Sequence, residues 1–167
     1  MGKIPVKKLE INIKLYFFDN DIFLSLQGAQ HDFIDPVIKY KGMSKQLFSI
    51  EYPVRCSPTI LFEFLSSPAG LQEWFADKVD ERDGVFSFSW NGSTEKAEIL
   101  EIEEDKFIRL HWLHAPENEY FEFAIEKSEV SSQTILVIKD FAEKRDIADQ
   151  TRLWGVQVHD LFHRLGN

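Results

Sequence analysis

Apolar and polar residues alternate through most of residues 46–141, and the period then changes to that of a helix for the last twenty. Gln46–Val54 alternates and is rich in β-prone residues, which predicts a first strand, with Pro53 near its end marking an edge or a terminus. Ser57-Pro58-Thr59 then opens a helix, because Ser57 suits the cap and Pro58 the first helical position. Ile60, Leu61, Phe64 and Leu65 recur at helical spacing. Ser67-Pro68 stops that helix and starts a short second one, with Leu71, Trp74 and Phe75 on one face.

Strands follow. Val85–Trp90 sets Phe86, Phe88 and Trp90 on one face, and Asn91-Gly92 is a strong hairpin turn. Thr94–Glu103 returns, Glu104-Asp105-Lys106 turns, and Phe107–Leu113 sets Ile108, Leu110 and Trp112 against Phe107, Arg109 and His111. After a loop at Pro116-Glu117-Asn118, Tyr120–Glu126 points Phe121, Phe123 and Ile125 inward, and Glu122 and Glu126 outward. Ser131-Ser132 leads into a last strand, Thr134–Phe141. A helix from about Asp146 to Leu165 carries Ile147, Thr151, Trp154, Val158, Leu161, Phe162 and Leu165 as one apolar stripe, and Gly166 ends it. The order is strand, two short helices, roughly five antiparallel strands, long helix: an α+β fold. Hairpins that are apolar on one side need a cover, and the long helix supplies it.

The first 42 residues differ in charge, with six lysines against five carboxylates, whereas the remainder holds 13 basic and 23 acidic residues. Met43-Ser44-Lys45-Gln46 reads like a natural start of translation. On the simpler reading, residues 1–42 are an upstream extension outside the fold, and residues 43–167 are the domain. On the other reading they form an arm, with Ile11–Phe18 and Ile22–Leu26 as short strands around Asp19-Asn20-Asp21. An isolated two-stranded hairpin is marginal, which favours the simpler one.

The strand-helix run Val54-Arg55-Cys56-Ser57-Pro58-Thr59-Ile60-Leu61-Phe62-Glu63-Phe64-Leu65, then Leu71-Gln72-Glu73-Trp74-Phe75 and Trp154 on the terminal helix, carry a family resemblance. Over Gln46–Leu165 the chain resembles the START-like, birch-pollen-allergen superfamily. It is most similar to the bacterial relatives of the C-terminal domain of the activator of the ninety-kilodalton heat-shock chaperone. The resemblance implies a helix-grip fold, with a curved antiparallel sheet wrapped around a long C-terminal helix over an apolar cavity.

That cavity is the expected site. Its candidate lining is Trp74, Phe75, Phe86, Phe88, Trp90, Trp112, Phe121, Phe123, Trp154 and Val158. The competing reading is that these side chains pack on one another and leave no void. Aromatics make up 14% of the chain, 15 of them Phe, which fits either reading.

Charge narrows the partners. A net charge of −9 repels phosphate backbones, so no nucleic acid is expected. No apolar run reaches the roughly 20 residues of a membrane helix. The lone Cys56 fits a reducing compartment, so a cytoplasmic location is expected, and the thiol reads as passive. His159 and His163 stand one helical turn apart, but a pair leaves a tetrahedral metal short of ligands, so no metal and no cofactor are expected. No hydrolase elbow, phosphate loop or dinucleotide fingerprint is present. Glu73, Asp77, Arg109 and Asp140 are the polar residues an enzyme would use in the cavity. The leading expectation is a carrier or sensor of a small, lipid-like apolar ligand. The alternatives are an interaction module, as a homodimer or chaperone-associated factor presenting Phe48, Phe107 and Tyr120, and an enzyme.

Overall fold

The computed structural model describes residues 44–166 throughout and, before them, three strands: β1 (Asn12–Phe18), β2 (Asp21–Gln27) and β3 (Tyr40–Lys41). These form a small antiparallel sheet in the order β1-β2-β3, with Asn12 opposite Gln27 and Phe18 opposite Asp21. Of the segment read from sequence as a hairpin, Ile11 and the turn residues Asp19-Asn20 lie outside the described residues. The chain divides into two compact units, Met1–Ser44 and Lys45–Asn167.

The second unit is a seven-stranded, wholly antiparallel sheet with three helices. Its elements run β4 (Gln46–Val54), α1 (Pro58–Ser66), α2 (Pro68–Gln72), β5 (Lys78–Arg82), β6 (Val85–Trp90), β7 (Ser93–Glu103), β8 (Phe107–Trp112), β9 (Phe121–Lys127), β10 (Thr134–Ala142) and α3 (Ile147–Leu165). The spatial order is β4-β10-β9-β8-β7-β6-β5. The first strand of the unit thus pairs with the last, and Pro53 sits in edge strand β4, where its missing N–H costs no ladder bond on the open side. A bulge between Ile99 and Glu101 shifts the β7–β8 register and bends the sheet. This is the curved sheet and gripped helix expected from the sequence.

Local chemistry explains the helix ends. Ser57 Oγ accepts from the Ile60 N–H, Ser67 Oγ accepts from the Gly70 N–H, and a proline fills the first position of each helix. A Cβ on Gly70 would lie 2.2 Å from the Glu63 carbonyl oxygen and 2.6 Å from the Phe64 Cα, so only glycine lets α2 fold back on α1. Gly166 caps α3 at φ 72°, in the left-handed region.

Three expectations need correction. Lys78–Arg82 is a strand, so six strands follow the short helices rather than about five. Only Val79 of its five residues is buried, so no alternation announces it. The second helix ends at Gln72, which leaves Trp74 and Phe75 buried in the turn that follows it. Glu122 does lie on the outer face, but it is 2% exposed rather than in solvent, held by Arg109 and Lys139.

The core lies between the concave face of the sheet and α3. Leu61 and Leu65 of α1, Phe86 and Phe88 of β6, Ile108 and Leu110 of β8, Phe121 and Phe123 of β9, Leu136 and Ile138 of β10, and Trp154, Val158 and Leu161 of α3 are all buried. Each such side chain contributes about 1.5–3 kcal/mol by leaving water.

Candidate functional site

The ten candidate lining residues converge on the inside of the fold. Phe75 is their hub: its ring centroid lies 5.0 Å from Phe88, 5.5 Å from Trp74, 5.6 Å from Trp90, 5.8 Å from Phe123 and 6.2 Å from Phe121. Trp154 reaches down from the middle of α3 and stacks on Phe75 at 5.9 Å and 8°. Trp112 stacks on Phe121 at 4.7 Å, Phe86 stacks on Phe88, and Val158 is buried in the same cluster. Beneath the centre of the helix the rings therefore fill space against one another.

Open volume appears at the two ends of α3. A first cleft of about 670 Å³ opens beside its C-terminal half, lined by Trp74, Phe75, Ala76 and Trp90 on one side and Gln157, Asp160, His163 and Arg164 on the other. A second, of about 400 Å³, opens beside its first turns. Trp74, Phe75 and Trp90 line the first cleft and Trp112 the second, whereas Phe86, Phe88, Phe121, Phe123, Trp154 and Val158 line neither.

The floor of the first cleft is fixed by hydrogen bonds that an apolar reading of the sequence overlooks. Trp74 Nε1 donates to the Phe64 carbonyl at 2.9 Å, and Trp90 Nε1 donates to the Phe75 carbonyl at 2.7 Å. Both indoles satisfy their N–H groups on backbone, which leaves their apolar surfaces toward the space. Arg164 crosses the rim: its Nε donates to the Glu73 carbonyl at 3.1 Å and stands 3.4 Å from Glu73 Oε2. Gln72 Oε1 accepts from the Val79 N–H at 3.2 Å, and Asp77 Oδ2 from the Asn91 N–H at 2.9 Å.

The four polar residues named as enzyme candidates are dispersed. Glu73 and Asp77 belong to the first cleft and Asp140 to the second. Arg109 lies on the outer face of the sheet, paired with Glu122 and Glu101, and takes no part in either cleft. His111 Nδ1 donates to the Glu119 carbonyl at 2.8 Å. The exposed His159 and His163 rings meet edge to face at 4.6 Å. Among the described residues no group of three or more His, Cys, Asp or Glu is placed to hold a metal ion. Burial pushes the Cys56 thiol up, against a backbone hydrogen bond from Leu61, so the thiolate is disfavoured. Phe48, Phe107 and Tyr120, named as surface aromatics, are half-buried, and the Arg109 guanidinium stands 4.9 Å from the centre of the Tyr120 ring.

Of the four polar candidates, Asp140 has the environment that alters its chemistry most. Burial pushes its carboxyl above the usual carboxylate range, against hydrogen bonds from Trp154, the Phe141 N–H and Gln150 and the charge of Lys45. The native state then holds that proton more tightly than the unfolded chain does. Its contribution to stability is full below the unfolded pKa and is lost as pH rises through the folded one. Thermal melts across the mildly acidic range should show the wild type losing stability relative to Asp140→Asn as pH climbs. An offset between the two proteins that stays constant with pH would remove the claim.

With this geometry in place, the comparisons become informative. The family model for the START-like superfamily domain matches residues 43–167. A Bacteroides fragilis protein whose solution structure is known is 35% identical, with a TM-score of 0.54, and the match covers 71% of this chain and 90% of that one. The Aha1 dimer of Colwellia psychrerythraea is 17% identical with a TM-score of 0.61, over 72% of this chain and 96% of that one. The protein MLL2253 of Mesorhizobium loti is 19% identical with a TM-score of 0.60, over 72% and 97%. No curated protein matches. No described helix is long and apolar enough to cross a membrane.

Proposed function

The chain belongs to the START-like superfamily, and we propose that it binds a small, lipid-like apolar ligand in the first cleft, against Trp74, Phe75 and Trp90. One observation carries the reading: about 670 Å³ of space between three inward aromatic side chains and the terminal helix. That volume falls in the range of small-molecule sites, and its lining is mixed, with an apolar floor of Trp74, Phe75, Ala76 and Trp90 beneath a polar and charged rim. Here the apolar part of the ligand rests on the rings, and its polar end meets a rim of Gln72, Gln157, His163 and Arg164 that also carries Glu73, Asp77 and Asp160. The same helix and sheet supply both the core and the site, so binding needs no separate element. Residues 43–167 are the binding domain and residues 1–42 an extension to it. The passive thiol of Cys56 suits the cytoplasm.

The reading is tested by native mass spectrometry of protein purified from cells, together with uptake of an environment-sensitive dye displaced by fatty acid. Gln157→Trp is the informative variant, because it fills the cleft from the half-buried side of α3 while leaving every residue of the ring cluster in place. It should weaken dye uptake by about tenfold, the size expected when several apolar contacts are lost, and leave the denaturation midpoint unchanged. Wild-type protein with neither co-purified ligand nor dye uptake, or Gln157→Trp binding as wild type does, would overturn it.

A further inference from the structure

The second cleft carries chemistry that the first lacks. Trp112, Tyr120 and Phe141 line it, with Tyr120 and Phe141 edge to face at 5.3 Å. Asp140 lines the same space from β10. Its Oδ1 accepts from the Phe141 N–H at 2.7 Å, and its Oδ2 accepts from Trp154 Nε1 at 2.9 Å and Gln150 Nε2 at 3.1 Å. All three donors are neutral. A carboxylate has about four lone-pair directions, so one on Oδ1 is left over.

The other carboxylates of the cleft have cations. Glu119 Oε2 holds Lys45 Nζ at 2.6 Å, and Arg145 Nε stands 2.9 Å from Glu143 and 3.6 Å from Asp146. Among the described residues, Asp140 is the one carboxylate of this cleft without an ion pair: Lys45 lines the cleft and its charge reaches Asp140, but its ammonium is held by Glu119. A charge half withdrawn from water and left without an ion pair carries part of the burial cost, and a cation that reaches it recovers some of that cost. Aromatic faces attract cations as well.

We propose that the second cleft binds a small organic ammonium ion, a primary or secondary amine whose N–H is donated to Asp140 Oδ1 and whose apolar group rests against Trp112, Tyr120 and Phe141. An alcohol of the same shape makes the hydrogen bond but brings no charge. A carboxylate meets Asp140 and Glu119 at close range. The ordering amine, alcohol, acid is therefore built into the site. It owes nothing to the first cleft, at the other end of α3, so the two readings stand or fall separately.

The probe is benzylamine, protonated at neutral pH, set against benzyl alcohol and benzoate, with the full chain followed by calorimetry and by tryptophan side-chain NMR. Benzylammonium should bind about tenfold or more tighter than the alcohol and shift the Trp112 resonance, with benzoate showing no binding. Asp140→Asn should bring the amine down to the level of the alcohol. Because Asp140 also holds Gln150 and Trp154, a second variant guards against a fold effect. Ala115→Lys lines the cleft with a tethered ammonium, leaves every Asp140 bond in place, and should weaken the amine by a similar factor. Equal binding of amine and alcohol, shifts at Trp74 and Trp90 in place of Trp112, or an unaffected Ala115→Lys protein would each overturn the proposal.

Discussion

Phe75→Ala is expected to cost about 3–5 kcal/mol of folding stability, the range for deleting a buried phenylalanine ring. Against a typical total of about 5–15 kcal/mol, that is a large fraction. The position explains the size. Phe75 is 4% exposed and touches rings from α3, β6, β9 and its own turn, so its removal leaves a void bounded by Trp74, Phe88, Trp90, Phe121, Phe123 and Trp154. Those walls are fixed from outside: Trp74 by the Phe64 carbonyl, Trp154 by Asp140. They cannot collapse freely into the gap, and poor collapse puts a site at the costly end of the range. Phe75→Leu refills most of the volume and should lose less than half as much. Urea denaturation followed by tryptophan fluorescence measures both. A loss under about 1 kcal/mol for the alanine variant would mean that the rings do not converge on this residue.

The same ring shows where sequence reasoning works and where it stops. Alternation in Val85–Trp90, Phe107–Trp112 and Phe121–Lys127 identified which side chains face inward, because the two-residue period of a strand fixes the face. The three-and-four spacing of Trp154, Val158 and Leu161 did the same for α3. Neither period carries information about voids. Whether inward rings touch or stand apart depends on the curvature of the sheet and the seating of the helix, which are long-range properties. Hence Phe123 and Trp90 look alike in the sequence, yet Phe123 is fully buried and Trp90 borders a cleft. Lys78–Arg82 was illegible for a different reason: it is an edge strand, with solvent taking four of its five side chains, and its only cue is the Asp83-Gly84 turn after it. Gly70 gave no cue at all, since a glycine's closeness to another helix is visible only once both are placed.

Two carboxylates, Glu122 on β9 and Asp140 on β10, are held by the fold in contrasting ways. Asp140 faces inward under α3, and Glu122 faces outward. Glu122 is buried and Asp140 half-buried, and the solutions differ. Glu122 has two cations and Asp140 has three neutral donors. A carboxylate with cations is a closed arrangement. One with neutral donors at the edge of a cleft retains an unmet electrostatic demand, and for that reason the second cleft, rather than the outer face, is the place to look for a charged ligand.

Glu122 provides the sharper test of how charge is held in this fold. Its direct cross-strand neighbours are Arg109 on β8 and Lys139 on β10, so three strands present one ion triad. Arg109 Nε lies 2.7 Å and its terminal nitrogen 2.6 Å from Glu122 Oε2, and Lys139 Nζ lies 2.8 Å from Oε1. The exposures are unequal: the Glu122 side chain is 3% exposed, Arg109 31% and Lys139 33%. Removing the acid leaves two cations that still reach water, and Arg109 retains Glu101 at 2.9 Å. Removing both cations strands a carboxylate that reaches none. Glu122→Gln is therefore expected to cost about 2 kcal/mol, whereas the Arg109→Met, Lys139→Met double variant should cost about 3–5 kcal/mol, the range for an uncompensated buried charge. Adding Glu122→Met to that double variant should recover most of the loss, since apolar replacements of a buried ion cluster are often neutral. Urea denaturation of the three proteins decides the matter. If the double variant loses no more than Glu122→Gln, or the triple variant is the least stable of all, then solvent rather than the two cations supports the Glu122 carboxylate.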